Sequence, residues 1–175
     1  MTYYSVEPKS RNDLRLLAHN FREILGLENC LYFPIVELLD VMSKIFDDFS
    51  YEIVSDEEMS ENVHASTDIR TGLIKIKESV YEGACKGNGR DRMTIAHEIG
   101  HYLMLCICGF TLERSFFKAD TCRDPEWQAK CFAGELMISK RLVKEMTPQE
   151  IVEKCGVSFD AAKYQHDKYQ ESDAL

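Results

Sequence analysis

No stretch of this chain approaches the roughly 20 consecutive apolar residues that a membrane-spanning helix requires, although 45% of its residues are hydrophobic. Its opening residues, MTYYSVEPKSRND, lack the apolar core of a secretory signal. These two absences predict a cytoplasmic protein with no membrane partner. Basic residues are also in deficit: 21 Lys and Arg stand against 30 Asp and Glu, a formal net charge of -9. Phosphate recognition depends on clustered Lys and Arg, so the balance argues against direct nucleic-acid binding and suits a basic protein partner. The seven cysteines form no finger pattern. Their number is odd and no secretion signal precedes them, which reads as free thiols in a reducing compartment. Cys106 and Cys108 are not a C-x-x-C pair and no second pair follows, so a cysteine-bound structural zinc is disfavoured.

Internal repeats and low-complexity linkers are missing too, and 175 residues make one domain with a core of its own. Three parts are expected: a helical N-terminal part over 1–48, a core over 50–138 and a helical tail over 139–175. Ser10 to Asp13 resembles a capping box, and Leu14, Leu17, Phe21, Ile24 and Leu25 follow at helical spacing, with Gly26 as the stop. Pro34 opens a second helix through Ile45. Segment 47–61 holds seven acidic residues and no basic one, a solvated loop with a short strand at Tyr51 to Val54. "GLIKIKE" at 72–78 alternates apolar and basic residues, as a half-buried strand does. A short helix around Val80 to Ala84 and a turn at Gly87-Asn88-Gly89 lead into a long helix over Arg92 to Cys106. Further helices are predicted from Pro125 to Ile138, over 148–155 and over 158–170.

The long helix carries "HEIGH". At ~100° per residue His97 and His101 lie ~40° apart and project from one face, while Ile95, Ala96, Ile99 and Leu103 cluster on the other. One face buries itself and the histidine face looks into a cleft. Zinc takes imidazole nitrogens at ~2.0–2.1 Å, and histidines spaced i, i+4 converge on one ion at that distance. Glu98 points ~100° from His97, so it is free to act as general base beside the metal. The bland alternative is a pair of surface histidines on an amphipathic helix.

A catalytic zinc site has three protein ligands and an open position. The acidic candidates downstream are Glu113, Asp120, Asp124, Glu126 and Glu135. Glu126 and Glu135 share a helix but lie nine residues, ~900°, apart, so at most one reaches the metal. Ala129, Phe132, Ala133, Leu136 and Met137 define the buried face of that helix. Glu126 borders this stripe and Glu135 is predicted to point away from it, which selects Glu126.

The segments "IKIKESVYEGACKGNGRDRMTIAHEIGHYLM" and "EWQAKCFAGELMIS" resemble the ImmA/IrrE family of bacterial zinc endopeptidases, from about Leu73 to Met137. Members carry a similar R-x-R-F-T-x-A-H-E-x-G-H block followed by E-x-x-A-N-x-F-A-x-x-L-L-M-P. Met93, Lys130 and Ser139 stand where the family has Phe, Asn and Pro. Carried over by position, His97, His101 and Glu126 are zinc ligands and Glu98 the base. The resemblance implies an α+β, zincin-like fold, helix-rich with one small twisted sheet beside the H-E-x-x-H helix. It also implies a substrate class: regulatory proteins, such as helix-turn-helix repressors of mobile elements or stress-response genes.

Two other functions compete with proteolysis. The tail 147–170 places Gly156-Val157-Ser158 between two helices, as in a helix-turn-helix, but Lys163, His166 and Lys168 are offset by Asp160, Asp167 and Glu171. A zinc-binding regulator with negligible turnover has no need of Glu98. Tyr81, Tyr102, His64 and Arg90 are the candidate donors to a transition-state oxyanion by chemical type, although His64 and His19 also read as surface histidines.

Overall fold

The computed structural model describes residues 3–107, 113–115 and 120–173. Strand β1 (Tyr3–Ser5) precedes helix α1 (Arg11–Ile24), whose N-terminus is the expected capping box. The Ser10 hydroxyl accepts from the Asp13 amide, and the Asp13 carboxylate accepts from the Ser10 amide at 2.8 Å. Helix α2 (Ile35–Ile45) follows Pro34 and buries Ile35, Leu38, Leu39 and Met42.

Three strands form the sheet beside the histidine helix: β2 (Ser50–Val54), β3 (Ala65–Asp68) and β4 (Leu73–Lys77), in the order β2-β4-β3. β2 runs parallel to β4 and β3 antiparallel to it, so the sheet is mixed. Alternation along β4 does what the sequence predicts: Ile74 and Ile76 are fully buried, while Lys75 turns outward to Glu52 at 3.6 Å. Lys77 departs from the pattern. It is buried, and its ammonium donates to the carbonyls of Ser60 at 3.0 Å and Glu61 at 3.4 Å, holding the approach to β3. β3 was not visible in the alternation, because "ASTD" has one apolar residue and owes its form to the ladder with β4.

Helix α3 (Glu78–Cys85) and the turn at Gly87 lead into α4 (Gly89–His101), capped by the Asn88 side chain. The helix predicted over Arg92 to Cys106 thus starts three residues earlier, inside the expected turn, and its α-helical part ends at His101. From Tyr102 to Ile107 the backbone widens into a π-helical turn, immediately after the second histidine. Of the loop 107–124, residues 108–112 and 116–119, Cys108 among them, lie outside the described residues. Its strand β5 (Glu113–Ser115) pairs antiparallel with β1, a second small sheet absent from the sequence reading.

Pro125 occupies the first turn of α5 (Pro125–Met137), and α6 (Lys140–Val143), α7 (Pro148–Cys155) and α8 (Phe159–Asp173) follow. α5 packs across α4 where Gly100 meets the Ala129 backbone: a Cβ on Gly100 would stand 3.0 Å from the Ala129 carbonyl oxygen. α8 does not stand free as a recognition helix. Ala162, Gln165 and Tyr169 are buried, and its outer lysines are matched locally, Lys163 to Asp167 and Lys168 to Glu171, both at 2.7 Å. Among the described residues no helix is long and apolar enough to cross a membrane. The whole is a helix-rich α+β fold of the zincin-like kind.

Candidate metal centre

His97 and His101 stand one turn apart on α4 and bring their Nε2 atoms to 3.1 Å of each other. Glu126, in the first turn of α5, sets one carboxylate oxygen 3.2 Å from His97 Nε2 and the other 3.1 Å from His101 Nε2. The elements that do this are locally specified. Asp124 caps α5 by accepting from the Glu126 amide at 2.9 Å, and the helix N-terminus favours a carboxylate there. Gly100 lets the two helices close until the three side chains meet. Hydrogen bonds from His101 and then His97 hold the Glu126 carboxyl well below the usual carboxylate range.

These three residues fit zinc on geometry. Bonds of 2.0–2.1 Å at tetrahedral angles put ligand atoms about 3.3 Å apart; the two Nε2 atoms stand 3.1 Å apart, and each has one oxygen of the Glu126 carboxylate at 3.1–3.2 Å, so one ligand atom from each residue lies within 4.8 Å of the others. Two imidazole nitrogens and a carboxylate turned toward one point repel one another unless a proton or cation lies between them. A single ion among the three removes the conflict. His97 Nδ1 is buried and has no partner among the described residues.

Glu98 lines the same cleft, is buried to 7% exposure, and does not join the cluster. Its side chain is held by β3: the Thr67 hydroxyl lies 2.7 Å from Glu98 Oε2 and 3.1 Å from the Glu98 carbonyl oxygen. Thr67 was missed in the sequence because nothing marked β3 as a strand. Spacing alone had no way to show that a threonine 31 residues upstream would meet the glutamate.

Glu135 corrects an expectation. It does not point into solvent: its side chain is 0% exposed. α5 is covered on nearly every side from Gln128 onward, so the apolar stripe misjudged which face is wet. Arg11 at 3.3 Å, Arg15 at 3.0 Å and the Tyr169 hydroxyl at 2.9 Å surround the carboxylate. Of the other acids, Asp120 is exposed, Asp124 caps α5, and the side chain of Glu113 lies outside the described residues.

The four oxyanion candidates divide. Tyr102 is fully buried, donates to Asp48 at 2.7 Å and packs edge-on against Phe49, so it faces away from the cleft. Tyr81 is likewise not among the cleft residues. His64 and Arg90 line it, and His64 is exposed, while His19 pairs with Glu23 at 3.4 Å. Cys131 reaches the cleft too; burial pushes its thiol up to about 11, and it is not among the residues whose ligand atoms converge. Cys30, Cys85, Cys122, Cys131 and Cys155 are all free.

Residues 56–166 match the Peptidase_M78 family, the IrrE N-terminal-like domain. A solved structure of a Mycobacterium tuberculosis transcriptional regulator superposes with a TM-score of 0.57 at 15% identity, over 86% of this chain and 45% of that one. At that identity the likeness speaks for the fold alone, and this chain spans less than half of that protein. No curated protein matches the chain.

Proposed function

The chain belongs to the Peptidase_M78 family of IrrE N-terminal-like domains, and from that premise we propose that it is a zinc-dependent endopeptidase whose substrate is a regulatory protein. His97, His101 and Glu126 hold the metal, and Glu98 is the general base. The observation that carries this reading is the convergence of three ligand atoms within 4.8 Å of one another, with a buried glutamate beside them that ligates nothing.

When bound, zinc supplies a Lewis acid that polarises a carbonyl and acidifies water. The rest falls to this chain's own side chains. Glu98 accepts a proton from the attacking water and returns it to the departing amine nitrogen. Thr67 donates to Glu98 Oε2, fixing one carboxylate oxygen and leaving the other for the proton. β3 pairs with β4 on one side only among the described residues, and its other edge lies in the cleft, where an extended segment has backbone groups to pair with. Of the cleft residues His64 remains as an oxyanion donor, since Arg90 stands seven residues before His97 on α4, too far along the helix to reach the reacting carbonyl. The regulatory substrate, a helix-turn-helix repressor in the family pattern, rests on the family resemblance.

Zinc content and proteolysis are tested together. Wild-type protein is expected to hold about one zinc per chain, as one three-ligand site requires, and to generate new termini in a proteome-derived peptide library read by mass spectrometry. Glu98→Gln keeps the zinc and loses the cleavage; His97→Ala and Glu126→Ala lose both. Wild-type cleavage by Glu98→Gln refutes the mechanism. A zinc-loaded wild type that cuts nothing in the library, nor any candidate repressor, favours the zinc-binding regulator instead.

A further inference from the structure

The cleft around the proposed zinc ligands encloses about 1260 Å³, and its charge is opposite to that of the chain. Among the described residues lining it the acids are Glu98 and Glu126, both already engaged, whereas Arg11, Arg90 and Lys130 are cationic. In a chain of net charge -9 this is an inversion. We infer that the cleft selects an extended segment bearing acidic side chains within about three residues of the bond to be cut. The inference rests on the endopeptidase reading and names its substrate chemistry.

Arg90 and Lys130 are exposed, and neither side chain is tied down by a close hydrogen bond or salt bridge among the described residues, although Arg90 acts at longer range on the half-buried Asp91 carboxylate beside it. Arg90 stands seven residues before His97 on α4, roughly 10 Å along the axis, and Lys130 stands one turn beyond Glu126 on α5, about 6 Å away. An extended chain advances about 3.3–3.6 Å per residue. Those lengths set the two charges about three and about two residues from the ligands.

Arg11 makes the third charge. Its guanidinium is clamped by Glu135 and Gln165 at 3.3 Å and by the Tyr164 hydroxyl at 3.0 Å. Glu135 is shared with Arg15, so two guanidinium groups meet one carboxylate and a positive charge is left over at that wall. Tyr164, half exposed, lies under Arg11 at 5.5 Å and adds an apolar surface. A basic, DNA-contacting helix is repelled from such a cleft. In a repressor the cut bond therefore lies in an acidic extended stretch.

The test uses the full zinc-loaded chain carrying Glu98→Gln, which binds without cutting, and two fluorescein-labelled 12-residue peptides read by anisotropy. Both share an apolar centre; one is flanked by Asp and Glu, the other by Lys and Arg. The acidic peptide is expected to bind about tenfold more tightly at low salt, the sum of roughly three surface charge pairs, with the margin shrinking at high salt. Arg90→Glu with Lys130→Glu abolishes or reverses the preference, and neither exposed side chain supports the fold. Equal or better binding of the basic peptide, no binding of the acidic one, or a preference that survives the double substitution overturns the inference. Library cleavage by wild type keeps the two proposals apart. Cutting without acidic preference sinks this inference alone, and acidic binding without cutting sinks the endopeptidase reading alone.

Discussion

Replacing Glu135 and replacing Glu126 are expected to have opposite consequences, although both are glutamates of α5. Glu135→Gln leaves two arginines and a tyrosine hydroxyl without their buried carboxylate, a loss of about 3 kcal/mol given that the arginines keep some solvent. For a chain of this size that is about 6–12 °C in Tm by thermal denaturation, with zinc retained by the folded fraction. Glu126→Gln instead leaves the metal-free Tm nearly unchanged, since that side chain is 61% exposed, and removes zinc. Thr67 acts through Glu98. Thr67→Val is expected to lower kcat by roughly ten- to a hundredfold, the worth of a hydrogen bond to a charged group, with KM and zinc content unchanged. Thr67→Ser, which restores the hydroxyl, restores kcat. A rise in KM or a loss of zinc would show that Thr67 only supports the strand.

The crossing of α4 and α5 sets how far apart the proposed ligands stand. Gly100→Ala brings two effects of opposite sign: alanine is better in a helix by about 1 kcal/mol, while a methyl 3.0 Å from a backbone oxygen costs about 1–3 kcal/mol because the backbone cannot swing aside. Stability is expected to fall slightly. Zinc affinity, measured by competition with a chelating dye, is expected to fall more, since the helices part where His97, His101 and Glu126 meet. α4 begins at Gly89, inside the expected turn, but other helix starts were legible in sequence, because capping is chemistry between neighbours: Ser10 with Asp13, and Pro125 in the first turn of α5. So were both histidines and Glu126, whose positions follow from helical pitch and an adjacent stripe. What was not legible depended on distant partners. β3 needs β4, the widened turn after His101 has no local stop signal, and Glu135 is buried only because α1 and α8 arrive on its side.

Across the molecule the hydrophobic core runs through α1, α2, β4, α4, α5, α7 and α8 without passing through the proposed metal ligands. Chelation is therefore expected to leave a folded chain. With free zinc at about a thousand times its Kd the bound state gains about 4 kcal/mol, so EDTA should lower Tm by about 8–16 °C in calorimetry while the transition stays cooperative. Collapse of the far-ultraviolet dichroism on chelation would contradict this. The pairing of β1 with β5 carries a consequence in time. Tyr3 meets Ser115 across a ladder whose halves lie more than a hundred residues apart. At 5–20 residues per second a ribosome takes roughly 5–20 s to make the intervening chain. During that interval β1 has no partner, and Arg11 and Arg15 still await Glu135. The N-terminal helix thus spends its first seconds unanchored, and a pause in translation before α5 prolongs the period in which chaperones and proteases can reach it.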